Sequence, residues 1–260
     1  MDNNKVHYFT SKDFSDTKII YGFFTRNGGK SKKPFDSLNC SFSSKDDKIN
    51  VNENISVTKQ KLGLKQTRIK FVSQIHGTHI EIIDNNNITK EIVADGSITQ
   101  TKNISLAILT ADCAPIFLVD PKKNIICAVH SGWRGCLNNI ILKASMKLKK
   151  ISKSIKNTVA IIGPCLNQEN FEVDGNFKKK FITKNSNYET YFKKNTDSGK
   201  IYFDMRRLID QQLRESSINN IFHVNKDTYT EKSLFFSQRR ATHNSALPTG
   251  RMINIIGFKQ

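Results

Sequence analysis

Short apolar runs of strand length alternate with compact polar turns along the chain, and the pattern is densest from Leu106 to Gly135. Ile116 to Val119 and Ile125 to Val129 are continuous apolar runs, the pattern of strands buried on both faces. Thr110-Ala111-Asp112-Cys113 precedes the first run, and His130-Ser131-Gly132-Trp133-Arg134-Gly135 follows the second. Lys18 to Phe24, Ile69 to Val72, His79 to Ile83, Thr158 to Ile162, Ile221 to Val224 and Met252 to Phe258 read as further strands. After Gly135 the period becomes helical. Leu137, Ile140, Ile141, Ala144 and Leu148 share one face, and the lysines of the last turn suit the negative end of the dipole. Val51 to Leu62, closed by Gly63, is a second helix, and Asp204 caps a third with Met205, Leu208, Ile209 and Leu213 on one face. Asp84 to Thr89 and Val93 to Ser97 read as polar turns, Phe171 to Lys200 as surface structure of mixed type, and Phe235 to Arg240 as the start of a polar loop ending at Gly250-Arg251. No repeat and no Pro/Gly/Ser linker interrupts this order. The expectation is one α/β domain of mixed layers over residues 1–260, with 1–17 a loosely ordered extension.

Composition narrows the partners. The net charge of +18 comes from 41 Lys and Arg against 23 Asp and Glu. Such a balance suits nucleic acid, an anionic membrane or an anionic small substrate. Here the basic residues are mostly Lys and spread over the whole chain, which reads as a lysine-rich surface; nucleic acid is not an expected partner. Five cysteines at 40, 113, 127, 136 and 165, with no CxxC pair, argue against a disulfide framework and for a reducing compartment. The N-terminus has no apolar signal core, and no stretch of about 18 apolar residues occurs, so a cytoplasmic protein without a membrane partner is expected.

Turns at the ends of buried strands are where a rigid sheet presents polar side chains. Cys113, His130 and, in Ser73-Gln74-Ile75-His76-Gly77, His76 occupy such turns. Two His and one Cys match a catalytic zinc site with an open fourth position. They equally match a thiolate nucleophile with His130 or His76 as base. They also match hydrogen-bonded turn histidines beside an inert cysteine. The long gaps between them leave these readings open. Asp112 is either the orienter of a ligand His or a turn residue. Arg134 lies in a Gly-x-x-Gly turn opening a helix, an anion-binding position, unless Trp133 merely anchors the turn. Arg26 stands on Thr25-Arg26-Asn27-Gly28-Gly29, where two glycines permit close backbone approach to an anion. Several chemistries fail on inventory. There is no HxE…PCxxC set of a zinc nucleobase deaminase and no Walker A or GxGxxG loop, and six histidines are too few for a multicopper cluster.

The segments TADCAPIFLVD (110–120), AVHSGWRG (128–135), SQIHG (73–77) and TRNGG (25–29) closely resemble the YfiH-type family. That family was long labelled multicopper polyphenol oxidase or laccase-domain and later identified as purine nucleoside enzymes. IGPC with FEV, FFSQRR and TGRM resemble its later landmarks, so the resemblance spans roughly Ile19 to the C-terminus. It implies a fold like the cytotoxic-necrotizing-factor-type cysteine hydrolase domain of bacterial toxins. It also implies a zinc site from His76, Cys113 and His130, which with Arg26 are the expected catalytic residues. Arg26, Asn39 of the SLN element and Arg134 are the expected substrate or phosphate contacts. The implied activity is phosphorolysis of adenosine, inosine and 5′-methylthioadenosine to free base and a ribose-1-phosphate type product, with hydrolytic adenosine deamination. The older label implies copper and phenol oxidation, and a Cys-His amidase is a further alternative. Purine nucleosides and phosphate are the expected partners of a monomer or homodimer. Two departures stand out. The family's Cys-Thr near Tyr229-Thr230 lacks its Cys, and the usual Gly-rich continuation after Asn39 is Cys40-Ser41-Phe42-Ser43. Gln74 carries no assigned role.

Overall fold

The computed structural model describes residues 5–11 and 17–259. The first half of the chain forms β1 (Tyr8–Phe9), β2 (Ile19–Phe24), α1 (Lys48–Lys61), β3 (Arg68–Lys70), β4 (Ile80–Ile82), β5 (Gly96–Thr99), β6 (Ile104–Thr110), β7 (Ala114–Asp120) and β8 (Ile125–Ser131). The second half forms α2 (Trp133–Leu137), α3 (Ile140–Ser152), β9 (Val159–Ile162), β10 (Glu172–Val173), α4 (Gly175–Lys184), β11 (Phe192–Lys194), β12 (Ile201–Phe203), α5 (Met205–Glu215), β13 (Asn220–His223), α6 (Gln238–His243) and β14 (Met252–Phe258).

The long apolar runs become the central strands. A five-stranded sheet runs β1-β2-β14-β6-β3, and a six-stranded sheet runs β13-β9-β7-β8-β5-β4; β10, β12 and β11 make a small third sheet. Tyr21, Phe23, Leu106 and Ile256 of the first large sheet pack on Phe117, Ile126 and Ile161 of the second, with Phe23 and Phe117 stacked at 4.7 Å. That is why every residue of β7 and β8 is buried. Val51 and Ile55 of α1 cover the outer face of the five-stranded sheet. Ile141, Ala144 and Leu148 of α3 and Leu208, Ile209 and Leu213 of α5 cover the outer face of the six-stranded one. The result is a single mixed α/β body of four layers. No helix among the described residues is long and apolar enough to cross a membrane.

Several elements depart from the sequence-based expectation for local reasons. Asp47 caps α1 by accepting from Ile49 N, so the helix begins three residues before Val51. The helical stretch after Gly135 is two helices, because Asn139 takes φ +54° and its carboxamide caps α3 at Leu142 N. Val93 to Ser97 is not simply a turn: Gly96–Thr99 is a buried strand beside β8. β6 starts at Ile104 and is a full strand that the pattern around Leu106 conceals, and Gln238–His243 is a short helix inside the expected loop. Tyr8–Phe9 pairs with β2, so the expected loose extension does not hold there; residues 1–4 and 12–16 lie outside the described residues.

Register decides where the chemistry gathers. β14 runs antiparallel to β2 and β6, with Met252 opposite Thr110 and Asn254 opposite Phe23. The chain leaving β2 toward Arg26, leaving β6 toward Cys113 and entering β14 from Arg251 therefore meets at one end of that sheet. In the other sheet Ala114 pairs with Ser131, which sets Cys113 beside Gly132.

Candidate metal centre

Cys113, His130 and His76 arrive at that end by different routes. His130 closes β8 and is buried; its Nδ1 lies 2.8 Å from Asp95 Oδ1, and its backbone N donates to Asp95 O at 2.7 Å. With Nδ1 committed, Nε2 is the nitrogen left for the cluster. His76 sits at φ +61° on a loop threaded over the same carboxylate. Asp95 Oδ1 accepts from His76 N at 2.8 Å, and Oδ2 accepts from Gly77 N at 2.5 Å and Ile75 N at 3.3 Å. Gln74 fastens the start of that loop to β6. Its amide donates to Leu109 O and accepts from Leu109 N, both at 2.8 Å. Cys113 follows Asp112, at φ +87°, whose buried carboxylate accepts from Thr228 Oγ1 and Arg239 N, both at 2.6 Å.

Cys113 Sγ is 3.8 Å from His76 Nε2, the two imidazole rings are 4.9 Å apart at 76°, and one ligand atom from each residue lies within 4.8 Å of the others. A tetrahedral ion with bonds of about 2.0–2.1 Å to N and 2.3 Å to S separates its ligand atoms by roughly 3.3–3.6 Å, so small side-chain movements complete the set. Gly132 makes room for it. A Cβ there would lie 2.7 Å from His76 Cδ2 and 3.0 Å from Cys113 Sγ. These three are the only such trio among the described residues. The donor set fits a single ion.

Electrostatics mark Cys113 apart from the other thiols. Burial pushes it up, but His130 and His76 outweigh burial and hold it down at about 6. His130 is lowered by burial, yet Cys113 and Asp95 raise it to about 9. Desolvation works against the Asp95 carboxylate, but His130, Gly77 and His76 hold it below the ordinary carboxylate value. Cys40, Cys127, Cys136 and Cys165 are buried and pushed up by that burial, which leaves them as inert hydrophobes.

The orienting carboxylate is therefore Asp95, which the sequence hides in an ordinary Ala-Asp-Gly turn; Asp112, the sequence candidate, braces the Cys113 turn instead. Arg26 lies at this end with its guanidinium 4.4 Å over the Phe236 ring, donating from Nε to Asp36 O at 2.7 Å and pairing with Asp36 Oδ2 at 3.3 Å. Asn39 does not present a free amide. Its Nδ2 donates to Ser44 and Asp46, and its Oδ1 accepts from Ser41 N and Arg251 N. Arg134 is exposed and lies 4.5 Å over the Trp133 ring, on a helix of only five residues. Asp227 stands in the segment where the family's Cys is missing. Its carboxylate gathers Asn170, Asn167 N and Thr230, while Thr228 reaches Asp112, so the segment is tied to the centre without a thiol. Two further arginines were not among the sequence candidates. Arg240 donates to Thr228 O and Tyr229 O, both at 2.7 Å, and Arg251 lines a cleft of about 360 Å³ with the Ser41–Ser44 loop.

A family model described as multi-copper polyphenol oxidoreductase laccase matches residues 20–259. A Rickettsia prowazekii (strain Madrid E) protein named purine nucleoside phosphorylase RP494 is 34% identical over 195 residues, 75% of this chain and 80% of the relative. Purine nucleoside phosphorylase YfiH of Escherichia coli (strain K12) is 28% identical over 235 residues, covering 89% and 90%. Among solved structures, a Bacillus licheniformis hypothetical protein YfiH superposes with a TM-score of 0.88 at 26% identity, covering 99% of this chain and 98% of the other. YlmD from Geobacillus stearothermophilus gives 0.83 at 25% identity, covering 94% and 93%.

Proposed function

Because the chain belongs to the multi-copper polyphenol oxidoreductase laccase family, with relatives named purine nucleoside phosphorylase, we propose that it is a purine nucleoside phosphorylase acting at His76, Cys113 and His130. The observation that carries this reading is the convergence of those three side chains on one point at the common end of both sheets. Zinc is the ion we assign to them, since two imidazoles and one thiolate leave a fourth position open for a reactant. When bound, it supplies a Lewis acid at neutral pH. Adenosine, inosine and 5′-methylthioadenosine are the substrates we assign. In phosphorolysis a phosphate oxygen forms a bond to C1′ as the bond from C1′ to N9 breaks; the electron pair goes to N9, which takes a proton. In the accompanying deamination, water adds at C6 of adenosine and ammonia leaves.

The chain's own residues prepare both steps. Asp95 keeps the His130 proton on Nδ1 and fixes the His76 backbone, so the nitrogens left for the ion are set before substrate arrives. Arg26, desolvated against Phe236, gives this end of the sheets positive charge toward an anionic reactant. We assign the protein to the cytoplasm, where five cysteines without a CxxC pair stay reduced. Cys113, His130 and Asp95 also form a nucleophile, base and orienter in line, and that favours a second reading as a thiol hydrolase.

Incubation with adenosine, with and without phosphate, followed by chromatography separates the outcomes. Adenine formed only with phosphate reports phosphorolysis; inosine formed in either case reports deamination. Metal analysis runs alongside. Full turnover by Cys113→Ala, or turnover by wild type after complete metal removal, overturns the metal-centred reading. Trapping of Cys113 by an acyl substrate, insensitive to chelator, establishes the hydrolase instead.

A further inference from the structure

The cleft beside Arg251 has a role that the metal centre does not fill. It is bounded by Ser41, Ser43, Gln238, Leu247, Thr249 and Arg251, and no acidic residue among those described lines it. Two chain segments are stitched together to make it. Asn39 Oδ1 accepts from Arg251 N at 2.9 Å, and Cys40 N donates to Arg251 O at 3.2 Å. The Arg251 guanidinium is held at one edge. Nη1 donates to Thr249 O at 3.1 Å and Gly250 O at 3.0 Å, and Nη2 donates to Gln238 Oε1 at 3.0 Å. All three acceptors are neutral, and among the described residues no carboxylate forms an ion pair with Arg251. Arg26, by contrast, has a carboxylate partner, Asp36 Oδ2 at 3.3 Å.

Position connects this charge to the centre. Arg251 immediately precedes Met252, which pairs with Thr110 at the end of β6, and Thr110 opens the turn that carries Cys113. Burial lowers the Arg251 pKa, while Cys113 and Asp112 raise it. A partly buried cation without an ion-pair partner among the described residues, at the edge of a cleft lined by hydroxyl side chains, is a site for a small oxyanion.

We propose that this cleft is the subsite for inorganic phosphate, with Arg251 supplying the charge and the Ser41, Ser43 and Thr249 hydroxyls the neutral donors. The assignment rests on the phosphorylase reading. It puts the attacking phosphate oxygen at the Arg251 end of β14, beside the end of β6 that leads into the Cys113 turn. The bond from that oxygen to C1′ forms as N9 leaves with its electron pair and takes up a proton from solvent.

Two measurements on wild type, Arg251→Gln, Arg251→Lys and Ser43→Ala test it: initial rates with inosine over a range of phosphate, and thermal-shift titration with inorganic phosphate alone. The expected result for Arg251→Gln is a phosphate KM raised at least tenfold, a nucleoside KM within about twofold of wild type and an unchanged metal content. Arg251→Lys recovers part of the loss, and Ser43→Ala, away from the Arg251 hydrogen bonds, raises the phosphate KM about threefold. An unchanged phosphate KM in a folded Arg251→Gln, or in Ser43→Ala should Arg251→Gln not fold, overturns the proposal and leaves the phosphorylase reading standing. Wild type that never cleaves inosine overturns that reading. The titration then decides the cleft: stabilisation by phosphate in wild type that Arg251→Gln lacks supports an oxyanion site, and no stabilisation of wild type ends it.

Discussion

Substituting Asp95 by Asn is the sharpest test of how the centre is built. The carboxylate is fully buried and receives four donors: the His130 ring and His76 N on Oδ1, Gly77 N and Ile75 N on Oδ2. An amide keeps one acceptor oxygen and replaces the other with a donor. If the oxygen stays with His130, the Gly77 and Ile75 N–H groups lose their acceptor and face an NH₂ group. A hydrogen bond to a charged acceptor contributes about 1.5–3 kcal/mol, so two lost bonds cost roughly 3–6 kcal/mol of stability. For a protein of this size each kcal/mol is about 2–4 °C, so the melting temperature should fall by roughly 6–24 °C. A misplaced His76 and a freed His130 tautomer should weaken metal binding by about 10–100-fold. Chelator competition at neutral pH measures the affinity, and calorimetry the stability. Asp112→Asn is the control, since its carboxylate touches Thr228 and Arg239 and no histidine. A folded Asp95→Asn that binds metal within twofold of wild type, or a larger affinity loss in Asp112→Asn, refutes the reasoning.

Gly132→Ala drives a methyl group against His76 and Cys113; metal affinity should drop at least tenfold while stability falls only about 1–3 kcal/mol, read by the same two assays. Gln74→Ala removes both bonds to Leu109 and should cost about 1–3 kcal/mol, with faster hydrogen exchange at residues 75–77. In metal-free protein, alkylation of Cys113 by iodoacetamide should rise with pH through a midpoint near 6, against roughly 8.5 for a free thiol, and metal should suppress it. Stability should not follow that titration. A thiol lowered from 9.0 makes folding favourable as pH rises above about 6. An imidazole raised from 6.5 to about 9 makes it unfavourable as pH rises over nearly the same interval. The pair moves a proton without a net gain, so a steep slope of melting temperature between pH 6.5 and 9 in Cys113→Ala minus wild type contradicts the coupling. Arg26→Ala should reduce nucleoside turnover at least a hundredfold with metal content unchanged, measured by rate assay and metal analysis.

The sequence by itself determined the elements with a strong period and the three side chains of the centre. Ile116 to Val119, Ile125 to Val129 and the α5 face of Met205, Leu208, Ile209 and Leu213 are legible because burial on a strand or a helix stripe is written at spacing 2 or 3.6. His76, Cys113 and His130 are legible because their residue types are few and each closes a buried strand or its turn. The residues set around that cluster belong to tertiary structure. Asp95, Gln74 and Arg251 are ordinary polar residues in ordinary turns until β5 is set beside β8 and β14 beside β6. Asn39 and Arg134, whose sequence context suggested a ligand, have contacts of their own that the sequence did not indicate: Asn39 Oδ1 accepts from Arg251 N, and Arg134 lies over the Trp133 ring. Periodicity records what each residue faces, whereas these partnerships depend on register between strands distant in the chain, which local pattern does not encode.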